Sequence, residues 1–191
     1  IWAGTDQGLA RLDAATGQWT RYRHDPSNRS TLNANIVRAL LVDSRKTLWI
    51  GTEKGLDRYD HSSDSFQRTA LSDKPGAEIA VNSIFEDERG VLWLGTRGHG
   101  LIRFDPRTGR IARSVHDRWS RNSIGDNLVF VVQADRRGRL WIGHFGGLDV
   151  FNPSTGTFDH YVRSPDDPDA LFGDRVYAVY PDRSGAVPAV A

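Results

Sequence analysis

The stretch "LWIGTEKGLDRYD", residues 48–60, is written nearly four times over in this chain. The other copies are "IWAGTDQGLARLD" at 1–13, "LWLGTRGHGLIRFD" at 92–105 and "LWIGHFGGLDVFN" at 140–152. In "LWIGT" the two-residue period of a strand puts Trp49 and Gly51 on one face and Leu48 and Ile50 on the other. Both faces are apolar, so both need cover. A sheet sandwiched between two neighbouring sheets supplies it, and the glycine beside the indole leaves room for the adjoining sheet. The four tryptophans therefore read as packing residues rather than as a stacking platform for bases or sugars.

Working outward, Trp2, Trp49, Trp93 and Trp141 are spaced by 47, 44 and 48 residues, and Pro188 falls 47 further on, where a fifth Trp would be due. Upstream of each slot lies "VRALLVD", "VNSIFED", "VFVVQAD" or "VYAVYPD", closing on Asp43, Asp87, Asp135 or Asp182 six residues before it. Each Asp opens a turn in which its carboxylate accepts backbone N–H groups, and "DERG", "DRRG" and "DRSG" add a glycine able to take positive φ. Self-similarity at this period, with short alternating strands and no 3.6-residue pattern, is the signature of a β-propeller.

The expected fold is therefore all-β: a propeller segment of about four four-stranded antiparallel blades, a fragment of a larger propeller. Repeats fall near 1–35, 36–80, 81–127 and 128–174, with a final strand at 175–181. In the second repeat the strands are expected near 36–42, 47–52, 55–60 and 65–69, and no helix exceeds two turns. Residues 176–180 either close on residues 1–5 or belong to an open sector that self-associates.

Composition narrows the function. The 191 residues carry 25 Lys and Arg against 24 Asp and Glu, a formal charge of +1, with no block of like charge. The field needed to hold a nucleic-acid backbone or an anionic membrane is missing. Absence of Cys removes disulfides, thiolate nucleophiles and Cys-ligated zinc. No apolar run approaches the roughly 18 residues of a membrane span. There is no Met, so Ile1 is not a translational start and the chain reads as a piece of something longer.

The pattern of Asp, turn, Gly, "LWIGT", Gly-Leu, aromatic and Asp, followed by a long loop such as "HDPSNRSTLNANIV", resembles the two-component regulator propeller repeat. The departures are "SRKT", without glycine, after Asp43, and "VPAVA" where another "LWIGT" would open. The resemblance implies the extracytoplasmic sensor region of a bacterial hybrid histidine kinase or diguanylate cyclase: periplasmic, non-catalytic, without cofactor, its output domain elsewhere in the parent. The alternative is a scaffold for protein–protein interaction or receptor dimerisation, and a third reading is a propeller lyase or glycosidase.

Repetition gives an internal control for a site, because slots serving the blade repeat while slots serving a ligand diverge. The turn after the Trp strand runs Gly4–Gly8, Gly51–Gly55 and Gly143–Gly147, but Gly95–Gly100 in the third copy, which inserts a residue and brings Arg97 and His99. The fourth replaces Thr5, Thr52 or Thr96 with His144, followed by Phe145. The loop joining those blades, "HDRWSRNS", adds Arg118, Trp119 and Arg121. Arginines and a Trp suit a carbohydrate or small anion through bidentate hydrogen bonds and stacking. Arg97, His99, Trp119 and His144 are expected to converge on one pocket. No metal is expected: two His without a nearby acid make a weak site. A second divergent slot, Arg38, Asn82, Phe130 and Tyr177, follows the recurring Val37, Val81, Val129 and Val176.

Overall fold

A computed structural model describes residues 1–181 apart from 73, 75 and 169. Among the described residues it contains fifteen strands and no α-helix. The first repeat forms β1 (Trp2–Thr5), β2 (Gly8–Leu12) and β3 (Trp19–Tyr22). The second forms β4 (Val37–Val42), β5 (Leu48–Thr52), β6 (Leu56–Asp60) and β7 (Ser65–Thr69). The third forms β8 (Val81–Glu86), β9 (Leu92–Thr96), β10 (Leu101–Phe104) and β11 (Ile111–Ser114). The fourth forms β12 (Val129–Ala134), β13 (Leu140–His144), β14 (Gly147–Asn152) and β15 (Thr157–Tyr161). Each repeat is one sheet in chain order, three-stranded for the first and four-stranded for the others, so the blades are those read from the sequence.

The chain divides into two compact units, Ile1–Glu86 and Asp87–Ala191. In the first, Leu9, Leu32, Val37, Leu48, Ile50, Tyr59 and Phe66 form a core against which Trp2, Tyr22 and Leu40 pack. In the second, Leu148, Val176 and Val179 are buried with Val131, Trp141 and Leu171 around them. β5 and β9 are buried at every residue, as strands covered on both faces must be.

The Trp phrase packs through its glycine. A Cβ on Gly4 would lie 2.6 Å from Val37 Cγ1, one on Gly51 2.9 Å from the Val81 carbonyl oxygen, and one on Gly143 2.4 Å from that of Val176. The glycine thus meets the first valine of the following repeat, and neither partner has room to change. The residue after that valine is a bulge in β4 and β12, where the register shifts across Arg38 and Phe130. A bulged residue leaves the ladder, which frees that slot to vary. Phe130 uses the freedom to pack on Tyr177, ring centroids 4.7 Å apart.

The recurring Asp does more than open a turn. Asp43 accepts N–H from Arg45 and Thr47, Asp87 from Arg89 and Val91, and Asp135 from Arg137 and Arg139. The other oxygen takes the indole N–H of Trp49, Trp93 or Trp141 at 2.9, 3.0 and 3.2 Å. The six-residue spacing from Asp to Trp is the length of that hairpin. Gly90 and Gly138 take the positive φ of the turn at 74°, and Lys46 takes it at 66° in the copy without glycine. A left-handed non-glycine residue costs roughly 1–2 kcal/mol, partly offset by the greater chain entropy of glycine. Lys46→Gly is accordingly expected to stabilise the chain by about 0.5–1 kcal/mol in urea unfolding, and a loss of stability would refute this account of the turn.

The final strand expected at 175–181 is not formed. Arg175 makes an isolated parallel bridge with Gly147, Val176 N–H donates to the His144 carbonyl at 3.2 Å, and residues 176–181 join no ladder. Val176 and Val179 are held by burial against Leu148 instead of by strand pairing. Asp182 and Pro188 lie outside the described residues.

Candidate functional site

The loop entering the fourth blade repeats the loop entering the second. His24 and His116 both bond through Nδ1 to a carbonyl, of Leu32 and Ile124, and both take an Asn side chain on their backbone N–H, from Asn35 and Asn127. Asp25 and Asp117 N–H groups donate to Thr31 and Ser123 hydroxyls. Thus "HDRWSRNS" is a second copy of "HDPSNRST", not an addition to the pattern. Each loop then reaches the blade it precedes: Asn33 N–H donates to Asp57 Oδ2 and Gly125 N–H to Asp149 Oδ2, both at 2.7 Å.

What differs is the blade beneath. Cross-strand pairing puts Asp57 opposite Arg68 and Asp149 opposite His160. The fourth blade therefore has His144 for Thr52, His160 for Arg68 and Gly125 for Asn33. These changes fit one another, since a Cβ on Gly125 would lie 2.8 Å from His144 Cε1. The His144 ring occupies space that any side chain at 125 would contest.

Asp149 is buried with His144 and holds both imidazoles. His160 Nδ1 donates to Asp149 Oδ1 at 2.7 Å, and its Nε2 faces the Arg121 carbonyl at 2.9 Å. His144 Nδ1 accepts N–H from Gly146 at 3.1 Å, which leaves its proton on Nε2. That Nε2 lies 3.1 Å from Asp149 Oδ1, an ion-pair distance without the alignment of a hydrogen bond. Burial opposes ionisation of Asp149, but His144, the Gly125 N–H and His160 outweigh it and hold the carboxyl below its usual range. Burial likewise opposes protonation of His160, and Asp149 with the Arg121 carbonyl outweighs it and raises the imidazole above its usual value.

Above this floor is a pocket of about 210 Å³. Its walls include His116, Arg118 and Arg121 from the loop, Gly146 from the β13–β14 turn, and Val162 after β15. Three of the residues singled out in the sequence, Arg118, Arg121 and His144, come together here. The other four lie outside the lining. Arg97 is exposed and bridges Leu128 through its backbone. His99 is half-buried and its N–H donates to Thr96 Oγ1. Trp119 is 82% exposed, with the Arg118 guanidinium 4.6 Å above its ring, and Phe145 carries the Arg175 guanidinium at 4.4 Å. The sequence reading does not single out Asp149, His160 or Gly125; Asp149 is an acid beside His144, while His99 lies outside this cluster. Even so, no group of three or more metal-binding side chains among the described residues has the arrangement of a metal site.

Fold and site together define a β-propeller segment with a small pocket beside the fourth blade, its floor formed by Asp149 and two imidazoles. The model of the two-component regulator propeller family matches residues 31–54 and 75–98. Histidine kinase P4 of Formosa agariphila is 28% identical over 167 residues, 84% of this chain but 12% of that protein. The extracellular domain of the hybrid two-component system BT4673 from B. thetaiotaomicron matches with TM-score 0.83 at 23% identity, covering 97% of this chain and 24% of that one. That of BT3049 matches at 0.70 and 20%, covering 98% and 30%. Virginiamycin B lyase from Staphylococcus aureus matches at 0.62 and 13%, covering 97% and 60%. At these identities the solved structures establish the fold, and the chain spans about an eighth of the curated relative.

Proposed function

We propose that this chain is part of the extracytoplasmic, periplasmic sensor propeller of a bacterial two-component receptor, non-catalytic itself, and that it holds a small ligand in the pocket over Asp149. Support for the receptor comes from the family repeats and from the histidine kinase and hybrid two-component relatives. The observation that carries the ligand site is the comparison of the two copies of one loop. The loop and its carboxylate anchor recur at Asp57, while only the fourth blade replaces Thr, Arg and Asn by His144, His160 and Gly125. Arg118 and Arg121 in the pocket lining favour a carbohydrate or a small anion.

Calorimetric titration with neutral and acidic oligosaccharides tests this. The double variant Arg118→Ala, Arg121→Ala is expected to lose at least tenfold in affinity with stability changed by less than about 0.5 kcal/mol, as exposed loop substitutions allow. Arg97→Ala is expected to bind like wild type. Equal affinity in the double variant would reject the site.

A second reading, a protein-interaction surface, draws on exposed Phe172, Tyr177 and Tyr180. Sedimentation equilibrium of the chain with Phe172→Ser and Tyr180→Ser decides it. Self-association in wild type that the variant abolishes would favour that reading, and a monomer in both would remove it.

A further inference from the structure

The two ring nitrogens of His160 face a carboxylate oxygen and a carbonyl oxygen, Asp149 Oδ1 at 2.7 Å and Arg121 O at 2.9 Å. The carbonyl cannot donate, and neither can Asp149 while it is ionised, the state that its lowered range favours. Both contacts are hydrogen bonds only if both nitrogens carry hydrogen, so the geometry requires an imidazolium. Its two partners belong to different parts of the pocket: Asp149 is the floor on β14, and Arg121 is in the loop that forms the wall. The same loop is tied to β15 by Asn122, whose Oδ1 accepts N–H from Phe158 at 2.9 Å and whose Nδ2 donates to the Gly156 carbonyl at 3.2 Å.

We propose that His160 is a proton-operated latch for this pocket: doubly protonated, it ties the loop around Arg121 to the floor at Asp149, and loss of one proton releases the loop. This concerns regulation of the site described above and so rests on that reading for its significance, but not for its test.

The proton that leaves is the one on Nε2. Neutral His160 keeps Nδ1–H, because the bond to ionised Asp149 is charge-assisted and stronger than the bond to a neutral carbonyl. The Nε2 lone pair then faces the lone pairs of the Arg121 carbonyl at 2.9 Å, and attraction becomes repulsion. On the floor, Asp149 on β14 favours the cation, and so does Asp159, the neighbour of His160 on β15. Of the other titratable or charged groups around the pocket, Asp117 adds negative charge, Arg118 and Arg121 add positive charge, and His116 and His144 complete the set. Because the folded-state imidazole titrates above the usual value of 6.5, the latch is complete below that pH and is lost as pH rises through the higher folded value.

The test uses the intact 191-residue chain without ligand. Nitrogen-15 spectra of the imidazole side chains should show His160 with both nitrogens protonated at pH 6.5. Amide exchange should show the protection factor of Phe158 N–H, corrected for base catalysis, falling at least tenfold as His160 titrates. In His160→Gln, which cannot change charge, that protection should not vary over the same range. A single-NH tautomer of His160 at pH 6.5, or protection of Phe158 that does not follow the His160 titration, would overturn the latch. Either result would leave the ligand titrations with Arg118 and Arg121 variants unaffected, so the two proposals fail separately.

Discussion

Gly51→Ala is expected to lower the unfolding free energy by about 3 kcal/mol and the melting temperature by about 6–12 °C. Gly51 lies in β5, where every residue is buried, and an added Cβ would meet the Val81 carbonyl oxygen at 2.9 Å, Val81 Cγ1 at 3.0 Å and the Ala39 Cβ at 3.2 Å. Two of these neighbours are a backbone atom and a Cβ, which cannot swing aside as the tip of a long side chain would. Relief requires β4 or β8 to move away from β5 and part of the core around Ile50 to open. Gly173→Ala is the control, since a Cβ there meets nothing within 4 Å, and a change within about 0.5 kcal/mol is expected. Thermal unfolding of the two variants beside wild type decides the matter. Equal melting temperatures would mean that the glycine of the Trp phrase does not set the spacing of neighbouring strands.

The fold was legible because the features that build a blade recur in the sequence at fixed offsets. The Asp-to-Trp spacing, the glycine after Trp and the valine opening each inner strand read directly as a turn, a close approach and a core contact. The strands of the second repeat begin and end within one residue of where alternation and turn residues place them. The failure at 175–181 has a different origin, because "VYAVY" has the composition of a strand but pairing depends on a neighbour that composition cannot supply.

The site was half legible. His144 stood out as a Thr-to-His change, and Arg118 and Arg121 as charges in a loop. Their partners were readable by the same comparison extended across strands. The slot paired across the last two strands of each blade runs Ala10 with Arg21, Asp57 with Arg68, Ile102 with Arg113, and Asp149 with His160. Arg, Arg, Arg, His is as clear a departure as Thr, Thr, Thr, His. It is visible only once the register is known, because the pairing partner of Asp149 lies eleven residues away. Arg97 and Trp119 misled for the opposite reason. Both differ from their counterparts, yet one is exposed and the other carries its neighbour's guanidinium out in solvent, so their divergence reports an unconstrained surface.

Asp57 and Asp149 occupy one position in two blades, and removing their charge is expected to act in opposite directions. Asp57 is fully buried, accepts only the Asn33 N–H on Oδ2, and has no partner on Oδ1 among the described residues. Burial pushes its carboxyl up from the usual 3.8 to about 6, against the pull of the Asn33 N–H and the charges of Arg68 and His24. The folded state therefore keeps a proton that the unfolded chain gives up. Below 3.8 there is no penalty, between about 4 and 6 stability falls as pH rises, and above 6 the loss is complete, on the order of 3 kcal/mol at 1.36 kcal/mol per unit. Asn at 57 cannot ionise, so the stability of Asp57→Asn relative to wild type should climb by about 2–3 kcal/mol between pH 4 and pH 7. Asp149 has the reverse linkage. Its carboxyl is held down by two imidazoles and the Gly125 N–H, so it contributes stability above the usual carboxylate range and loses it as pH falls. Asp149→Asn strips the carboxylate partner from His160 and from buried His144, and should cost about 3 kcal/mol at pH 7, fading toward pH 3. Urea unfolding of both variants and wild type at unit steps from pH 3 to pH 7 provides the comparison. If the two substitutions shift stability in the same direction at pH 7, then the imidazoles do not compensate the buried charge of Asp149, and the floor of the pocket is not the ion-paired cluster described.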